Sequence, residues 1–132
     1  HNGTLYGLGG NGGLMIAYDV RSGRMMWNEA FYQTKIEWQG RPISVSLGHA
    51  HLVYVDGAFL CLGEDGVLMR LNLSPGGFEI VAKTRLFYAP ETWAPPVISG
   101  GRLFVTQNEL GSRLICYDLK SAADGAATVP GN

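Results

Sequence analysis

Short runs in which apolar residues alternate with other residues follow one another along the chain, and clusters of Gly, Asp, Asn, Ser or Pro separate them. Runs of this length that are rich in β-branched and aromatic residues predict β-strands. The runs lie at 4–9, 14–20, 25–32, 58–62, 67–73, 78–86, 102–106 and 112–119. The pattern therefore predicts an all-β chain built from antiparallel hairpins.

The residues between these runs predict where the hairpins turn. Asp56 and Gly57 form a pair that is typical of a two-residue hairpin turn. Residues 21–23 form a short polar turn between the second and third runs, and Asp19 is placed to accept backbone N–H bonds from it. Gly23 is expected to supply a left-handed backbone conformation there.

Three stretches have weaker patterns. The glycine-rich stretch 9–13 favours a hairpin loop over a phosphate-binding loop, because Leu14 opens a strand pattern where a helix would be needed. Residues 33–42 are predicted to be a long link, part of which is strand. The stretch 87–96 contains three prolines, which exclude a central strand before Val97.

The pattern repeats along the chain. A turn glycine followed by one residue and two large apolar residues recurs at Gly3, Gly57 and Gly101, which are 54 and 44 residues apart. In a second pattern, an apolar residue is followed by Asp or Asn and then by an aliphatic residue. The Asp or Asn of this pattern recurs at positions 19, 72 and 118. A four-stranded blade of a β-propeller repeats at roughly 40 to 50 residues. The spacing predicts three blade units, at about 1–40, 41–88 and 89–121, followed by a flexible tail at 122–132.

The region around the first polar turn carries a specific motif. Its six motif positions are Ala17, Asp19, Ser22, Gly23, Arg24 and Trp27. They resemble, position for position, the tryptophan-docking motif of quinoprotein-like (PQQ-type) β-propellers. In that family the Trp ring stacks against the next blade, so the resemblance implies that Trp27 is largely buried near residues 74–77. A weaker copy follows, in which Gly76 matches the glycine but Ile80 stands in place of the tryptophan.

Composition narrows the class of protein. The chain has 132 residues, of which 46% are hydrophobic and only 16% charged, and its net charge of −1 provides no basic face for nucleic acid. No apolar run approaches the roughly 20 residues of a membrane-spanning helix, and no signal peptide is visible. The chain begins in the middle of a strand pattern, so we expect sequence upstream. Cys61 and Cys116 are predicted to be two buried free thiols.

Few residues suggest chemistry. His49 and His51 form a His-x-His pair that could supply half of a metal site, but a hydrogen-bonded structural pair is favoured because no third ligand is spaced nearby. Glu91 and Trp93 lie in a link where loops often carry function, but a solvated carboxylate is favoured for Glu91 and a packed ring for Trp93. Three further acidic residues adjoin predicted turns, which explains them without catalysis: Asp56, Glu64 and Asp65.

Two functional hypotheses remain. The resemblance implies a non-catalytic propeller segment that acts as a scaffold or protein-binding module, with no cofactor and in a periplasmic or cell-surface setting. The alternative is part of a PQQ-dependent alcohol or sugar dehydrogenase that uses the quinone with calcium. Because the first and third units each lack a strand, the expected partners are the remainder of the propeller or other protein subunits.

Overall fold

The computed structural model describes residues 1–9, 13–30, 34–45, 47–109 and 111–119. These residues form twelve β-strands and no helix, as predicted. The strands are β1 (Thr4–Gly9), β2 (Leu14–Asp19), β3 (Met25–Ala30), β4 (Thr34–Trp38), β5 (Arg41–Val45), β6 (Ala50–Val55), β7 (Ala58–Gly63), β8 (Val67–Ser74), β9 (Gly77–Arg85), β10 (Val97–Ser99), β11 (Arg102–Glu109) and β12 (Gly111–Asp118). The tail predicted at 122–132 lies outside the described residues.

The strands form three antiparallel meanders and one separate hairpin. The first sheet has the order β1-β2-β3, the second β6-β7-β8-β9 and the third β10-β11-β12, while β4 and β5 pair only with each other. Every pair is antiparallel and joins strands that are consecutive in the chain. The short turns at one end of the sheets include Asp56-Gly57. The links that enter β6 and β10 arrive at the other end, which we call the link end.

The separate hairpin confirms that part of the stretch 33–42 is strand, but corrects its interpretation as a link. Strands β4 and β5 pair from Thr34 with Val45 to Trp38 with Arg41. The turn between them is Gln39-Gly40, with φ angles of 51° and 74°. Both central residues are left-handed, which matches the twist of a two-residue hairpin even though Gln is an unusual residue at the first position. The predicted unit boundary at 40 and 41 falls at this turn.

The sequence repeat corresponds to a structural repeat. Gly3, Gly57 and Gly101 all adopt left-handed φ angles, of 76°, 78° and 77°, and each immediately precedes a strand, β1, β7 and β11 respectively. Asp56 also has a positive φ of 47°, as expected for the first residue of this turn type. The amide of Val20 donates to the Gly3 carbonyl in the first sheet, and the amide of Leu119 donates to the Gly101 carbonyl in the third.

The register corrects the weaker copy of the motif. The first sheet shifts register between Ala17 and Tyr18, and the second sheet shifts at the equivalent place, between Arg70 and Leu71. Trp27 lies opposite Ala17, whereas the residue opposite Arg70 is Ala82 and Ile80 lies opposite Leu71. Strands β8 and β9 continue to a two-residue turn, Pro75-Gly76. The chain from Asn72, which corresponds to Asp19, to the residue in the position of Trp27 is therefore longer than in the first sheet. The sequence alignment of Ile80 with Trp27 is therefore wrong by two residues.

Two apolar cores lie between successive sheets. The first core joins the first sheet, the separate hairpin and the second sheet through Met15, Ile36, Val45, Leu47, Phe59, Cys61, Val67, Met69 and Leu71. The second core joins the second and third sheets through Leu62, Phe87, Ala89, Leu103 and Val105. Because successive strand residues point to opposite faces, the second sheet is buried on both faces. The sheets are therefore stacked face to face.

The outward faces of the first and third sheets carry exposed apolar side chains. Leu5 is 61% exposed on β1, and Leu114 is 69% exposed on β12. Cys116 lies two residues beyond Leu114 on the same face and is exposed, so the prediction that both thiols are buried is wrong for this one. Cys61 is buried in the first core as predicted, and this burial raises the pKa of its thiol to about 12.

Candidate functional site

The four candidate residues of the sequence analysis lie together at the link end. His49 immediately precedes β6, His51 is the second residue of that strand, and Glu91 and Trp93 belong to the link between β9 and β10. The imidazole of His49 packs against the Trp93 ring with a centroid separation of 5.2 Å. Residues that are more than forty positions apart in the chain therefore form one site, because the links to β6 and β10 meet above adjacent sheets.

Glu64 fixes the position of His49 with both of its carboxylate oxygens. The backbone amide of His49 donates to Oε1 at 3.1 Å, and its Nδ1 lies 3.2 Å from Oε2. A Cβ on Gly48 would collide with this carboxylate, so glycine is needed for Glu64 to approach the backbone so closely. The sequence analysis assigned Glu64 only to the turn between β7 and β8, because its partner is fifteen residues away.

Trp93 is held at three points although its side chain is largely exposed. Its carbonyl oxygen lies 3.0 Å from His51 Nε2, and its indole N–H donates to Glu91 Oε2 at 3.1 Å. The third contact is the packing of the ring against His49. Trp93 nevertheless remains 55% exposed, which corrects the interpretation of this residue as a packed core ring.

A recess of about 290 Å³ opens beside the Trp93 ring. Its walls are formed by Leu8, Gly9, Gly48, His49, Ala50, His51, Thr92 and Trp93. Thr92 is 4% exposed, and its buried hydroxyl has no hydrogen-bond partner among the described residues. An unpaired buried hydroxyl is costly, so a donor that reaches this group would stabilise it. The sequence contains no signal for Thr92, because the burial of its hydroxyl depends on the packing of the link.

A second recess, of about 510 Å³, lies on the other side of Trp93. It is lined by Pro90, Glu91, Trp93, Asn108, Glu109, Gly111 and Ser112. Trp93 therefore stands as a ridge between two recesses at the link end.

An ion pair anchors the link next to this site. Arg85 Nη2 lies 3.1 Å from Asp65 Oδ2, and the guanidinium lies over the rings of Trp38 and Tyr88 at 5.8 and 5.1 Å. The side chain of Gln107 donates to the Tyr88 carbonyl at 2.6 Å. These contacts fix the start of the segment that carries Trp93.

The residues of the docking motif lie at the opposite end of the sheets. Ser22 donates to Asp19 Oδ1 from both its amide and its hydroxyl, each at 2.6 Å. These hydrogen bonds hold the pKa of Asp19 below its ordinary value, and the bond from the hydroxyl has the largest effect. Gly23 has a φ of 69°, as expected for this turn. Arg24 closes the turn through its carbonyl, which accepts from the Asp19 amide at 2.9 Å.

Trp27 reaches from the first sheet to the second. Its indole N–H donates to the Ser74 carbonyl at 3.0 Å, and its ring lies near those of Tyr6 and Phe78, at 6.2 and 6.0 Å. The residue is only partly buried, so the expectation of a largely buried ring is too strong. Gly76, the other predicted docking residue, lies in the adjoining turn and donates its amide to Ser74 Oγ at 3.2 Å.

Metal-ligand clusters and membrane-spanning helices are both absent from the described residues. No group of three or more His, Cys, Asp or Glu side chains in this part of the chain is arranged to hold a metal ion. The same residues contain no helix that is long and apolar enough to cross a membrane.

Comparison with known proteins identifies the fold. No protein-family profile matches the chain, and no curated protein sequence matches it. Among solved structures, the crystal structure of BamB from Moraxella catarrhalis is similar, with a TM-score of 0.55 and 15% sequence identity. The fold is that of β-propeller blades. The match covers 90% of this chain but only 30% of the BamB chain, so the blades described here form an unclosed part of a ring.

Proposed function

We propose that this chain is a non-catalytic segment of a quinoprotein-like (PQQ-type) β-propeller and binds another protein through its link end. The stacked sheets and the fold they share with BamB support the role of a rigid scaffold. The motif around Trp27 supports the PQQ-type repeat. By the same resemblance we propose a periplasmic or cell-surface setting.

The observation that carries this proposal is the fixed, exposed ring of Trp93. Exposed tryptophans at protein interfaces are frequent binding hot spots, because they bury a large area at a small cost in side-chain entropy. Trp93 is 55% exposed, yet Glu91 holds its ring N–H, His51 contacts its carbonyl and His49 packs against its ring. Little conformational freedom remains to be lost when a partner covers the ring.

The alternative, a quinone-dependent dehydrogenase, requires oxygen ligands for calcium beside the quinone. The described carboxylates at the link end do not fit this requirement. Glu64 is bound to His49, Asp65 to Arg85 and the Val67 amide, and no three such groups converge in the described residues. We therefore assign no catalytic step to this segment.

Site-specific photo-crosslinking in cells tests the proposed function. The full-length protein carries a photoreactive phenylalanine analogue in place of Trp93, and a matched protein carries it at Tyr54, an exposed aromatic residue at the opposite end. We expect one discrete protein adduct from position 93 and none from position 54. An equal pattern of adducts from both positions would contradict the proposal.

A second assay tests the dehydrogenase alternative. The purified full-length protein is mixed with PQQ, calcium and an alcohol or sugar, and the reduction of an artificial electron-acceptor dye is measured. The proposed function predicts no reduction above the protein-free control. Quinone-dependent dye reduction would overturn the non-catalytic assignment.

A further inference from the structure

We propose that the 290 Å³ recess beside Trp93 binds a primary ammonium group, supplied by a lysine side chain of the partner protein. This inference rests on the proposed function and specifies the chemistry of the partner. It is carried by three residues that line one recess and have an unused hydrogen-bond acceptor, by the aromatic ring beside them and by the charges of the surrounding residues.

The hydrogen bonds of the two histidines determine which ring nitrogens remain available. His49 Nδ1 contacts a carboxylate oxygen and His51 Nε2 contacts a carbonyl oxygen. Both oxygens only accept hydrogen bonds, so these two nitrogens carry the protons. In the neutral imidazoles, His49 Nε2 and His51 Nδ1 are therefore acceptors. Neither nitrogen has a hydrogen bond within the described part of the chain.

Thr92 supplies the third acceptor. Its hydroxyl is buried and unpartnered, although the residue lines the same recess as the two histidines. A lysine ammonium has three N–H donors and no acceptor. The three donors match the lone pairs of His49, His51 and Thr92 in number and in kind.

The surroundings of the recess favour a cation. No Lys or Arg side chain of the described residues contributes to its lining. The Glu64 carboxylate lies behind His49, and the Glu91 carboxylate lies at the indole N–H of Trp93. A cation near the face of a tryptophan ring is attracted by the ring quadrupole. Arg85, at the end of β9, is paired with Asp65.

The small residues of the recess allow a side chain to enter. Gly9, Gly48 and Ala50 form part of the wall, and Trp93 provides an apolar surface for the lysine methylene groups. A protruding side chain from a partner can therefore be accommodated while the partner backbone rests on the Trp93 ridge.

Peptide binding to the full-length protein tests the inference. The probe is acetyl-Ala-Ala-Lys-Ala-Ala-amide, and the control probe is the same peptide with Nε-acetyl-lysine, which lacks the charge and two of the three donors. Binding is followed by tryptophan fluorescence and by isothermal titration calorimetry. We expect the lysine peptide to bind at least tenfold more tightly than the acetylated peptide.

Variants locate the bound ammonium. Thr92→Val removes a hydroxyl that has no partner in the free protein, so we expect an unchanged or higher melting temperature together with about tenfold weaker peptide binding, the effect of one lost charged hydrogen bond. His51→Ala should weaken binding to a similar extent or more. The matched control is His1→Gln, which removes the remaining histidine of the chain at the opposite end and should leave binding unchanged.

Two results would overturn the inference. One is equal affinity for the lysine and acetyl-lysine peptides. The other is that the lysine peptide does not bind, whereas zinc ions, titrated as the chloride, bind to the unaltered protein and to neither the His49→Ala nor the His51→Ala variant. In either case a protein adduct from position 93 in the crosslinking experiment would leave the proposed function standing, so the two failures are distinguishable.

Discussion

Trp27 is the residue through which the first sheet contacts the turn between β8 and β9 of the second. Its N–H bond to the Ser74 carbonyl and its contact with the Phe78 ring both cross the junction between the sheets. The motif predicted the direction of this contact but not its depth, because a sequence pattern does not reveal how much solvent reaches the ring.

Trp27→Ala should lower the free energy of unfolding by about 2 to 3 kcal/mol, less than the 3 to 5 kcal/mol of a fully buried tryptophan because the ring is only partly covered. Trp27→Phe keeps a ring but removes the bond to Ser74, so it should cost about 1 kcal/mol. Urea unfolding measures both values. A loss below about 1 kcal/mol for the alanine variant would show that the ring does not join the sheets.

The two thiols should differ in reactivity. Burial raises the pKa of the Cys61 thiol to about 12, so almost no thiolate is present at pH 8, whereas Cys116 is exposed. Ellman's reagent should modify one thiol in the folded protein and two in urea. Cys116→Ser should abolish the reaction of the folded protein, and a rapid reaction that persists in this variant would contradict the assigned positions.

Asp19 should make stability depend on pH. Hydrogen bonds from Ser22 lower the pKa of Asp19 in the folded state. The stabilisation of the fold by ionised Asp19 is therefore complete above the pKa that Asp19 has in the unfolded chain. It is lost as the pH falls through the lower pKa of the folded state. Asp19→Asn should reduce the fall in the free energy of unfolding between pH 6 and pH 2, measured by urea unfolding at each pH. Ser22→Ala should reduce this fall in part. The same pH dependence in both variants as in the unaltered protein would refute the assignment.

At the scale of elements, the sequence predicted the strands best where turn chemistry and hydrophobic pattern agree. Asp56-Gly57 turns as expected, and β10 begins at Val97 after the prolines. The separate hairpin was missed because polar residues occupy one face of β4 and because Gln39-Gly40 is a weak turn signal. Its role depends on tertiary packing, since β4 and β5 contribute Ile36 and Val45 to a core that other strands complete.

The separate hairpin should therefore be a structural element and not a dispensable insertion. Ile36 is 5% exposed, so Ile36→Ala should destabilise the protein by about 2 to 4 kcal/mol. Lys35→Ala, on the exposed face of the same strand, should change stability by less than about 0.5 kcal/mol. Equal and small effects in urea unfolding would mean that the hairpin does not pack on the first core.

At the scale of the whole molecule, the sequence repeat predicted the succession of sheets but not the site at the link end. The contact between His51 and Trp93 spans 42 positions and exists because adjacent sheets bring their links together. Only a three-dimensional stack brings Thr92 to the same recess as the two histidines. His49, His51, Glu91 and Trp93 could be singled out from the sequence, whereas Thr92 and the convergence of these residues required the structure.

The chain is an open stack of propeller blades. The outward faces expose Leu5, Val20 and Leu114 at 61%, 64% and 69%, and the corresponding faces between the sheets are filled by neighbouring side chains. Exposed apolar patches of a few hundred Å² usually find partners, because burial contributes roughly 25 cal/mol per Å². The free edges of the sheets provide backbone groups that favour pairing as well.

Sedimentation equilibrium of the isolated 132-residue segment, over a hundredfold range of concentration, tests this claim most directly. We expect self-association, with an average mass that rises above 14.3 kDa as the concentration increases. Leu114→Lys, on the outward face of β12, should shift this association to higher concentration. A single species of 14.3 kDa throughout the range would contradict the account.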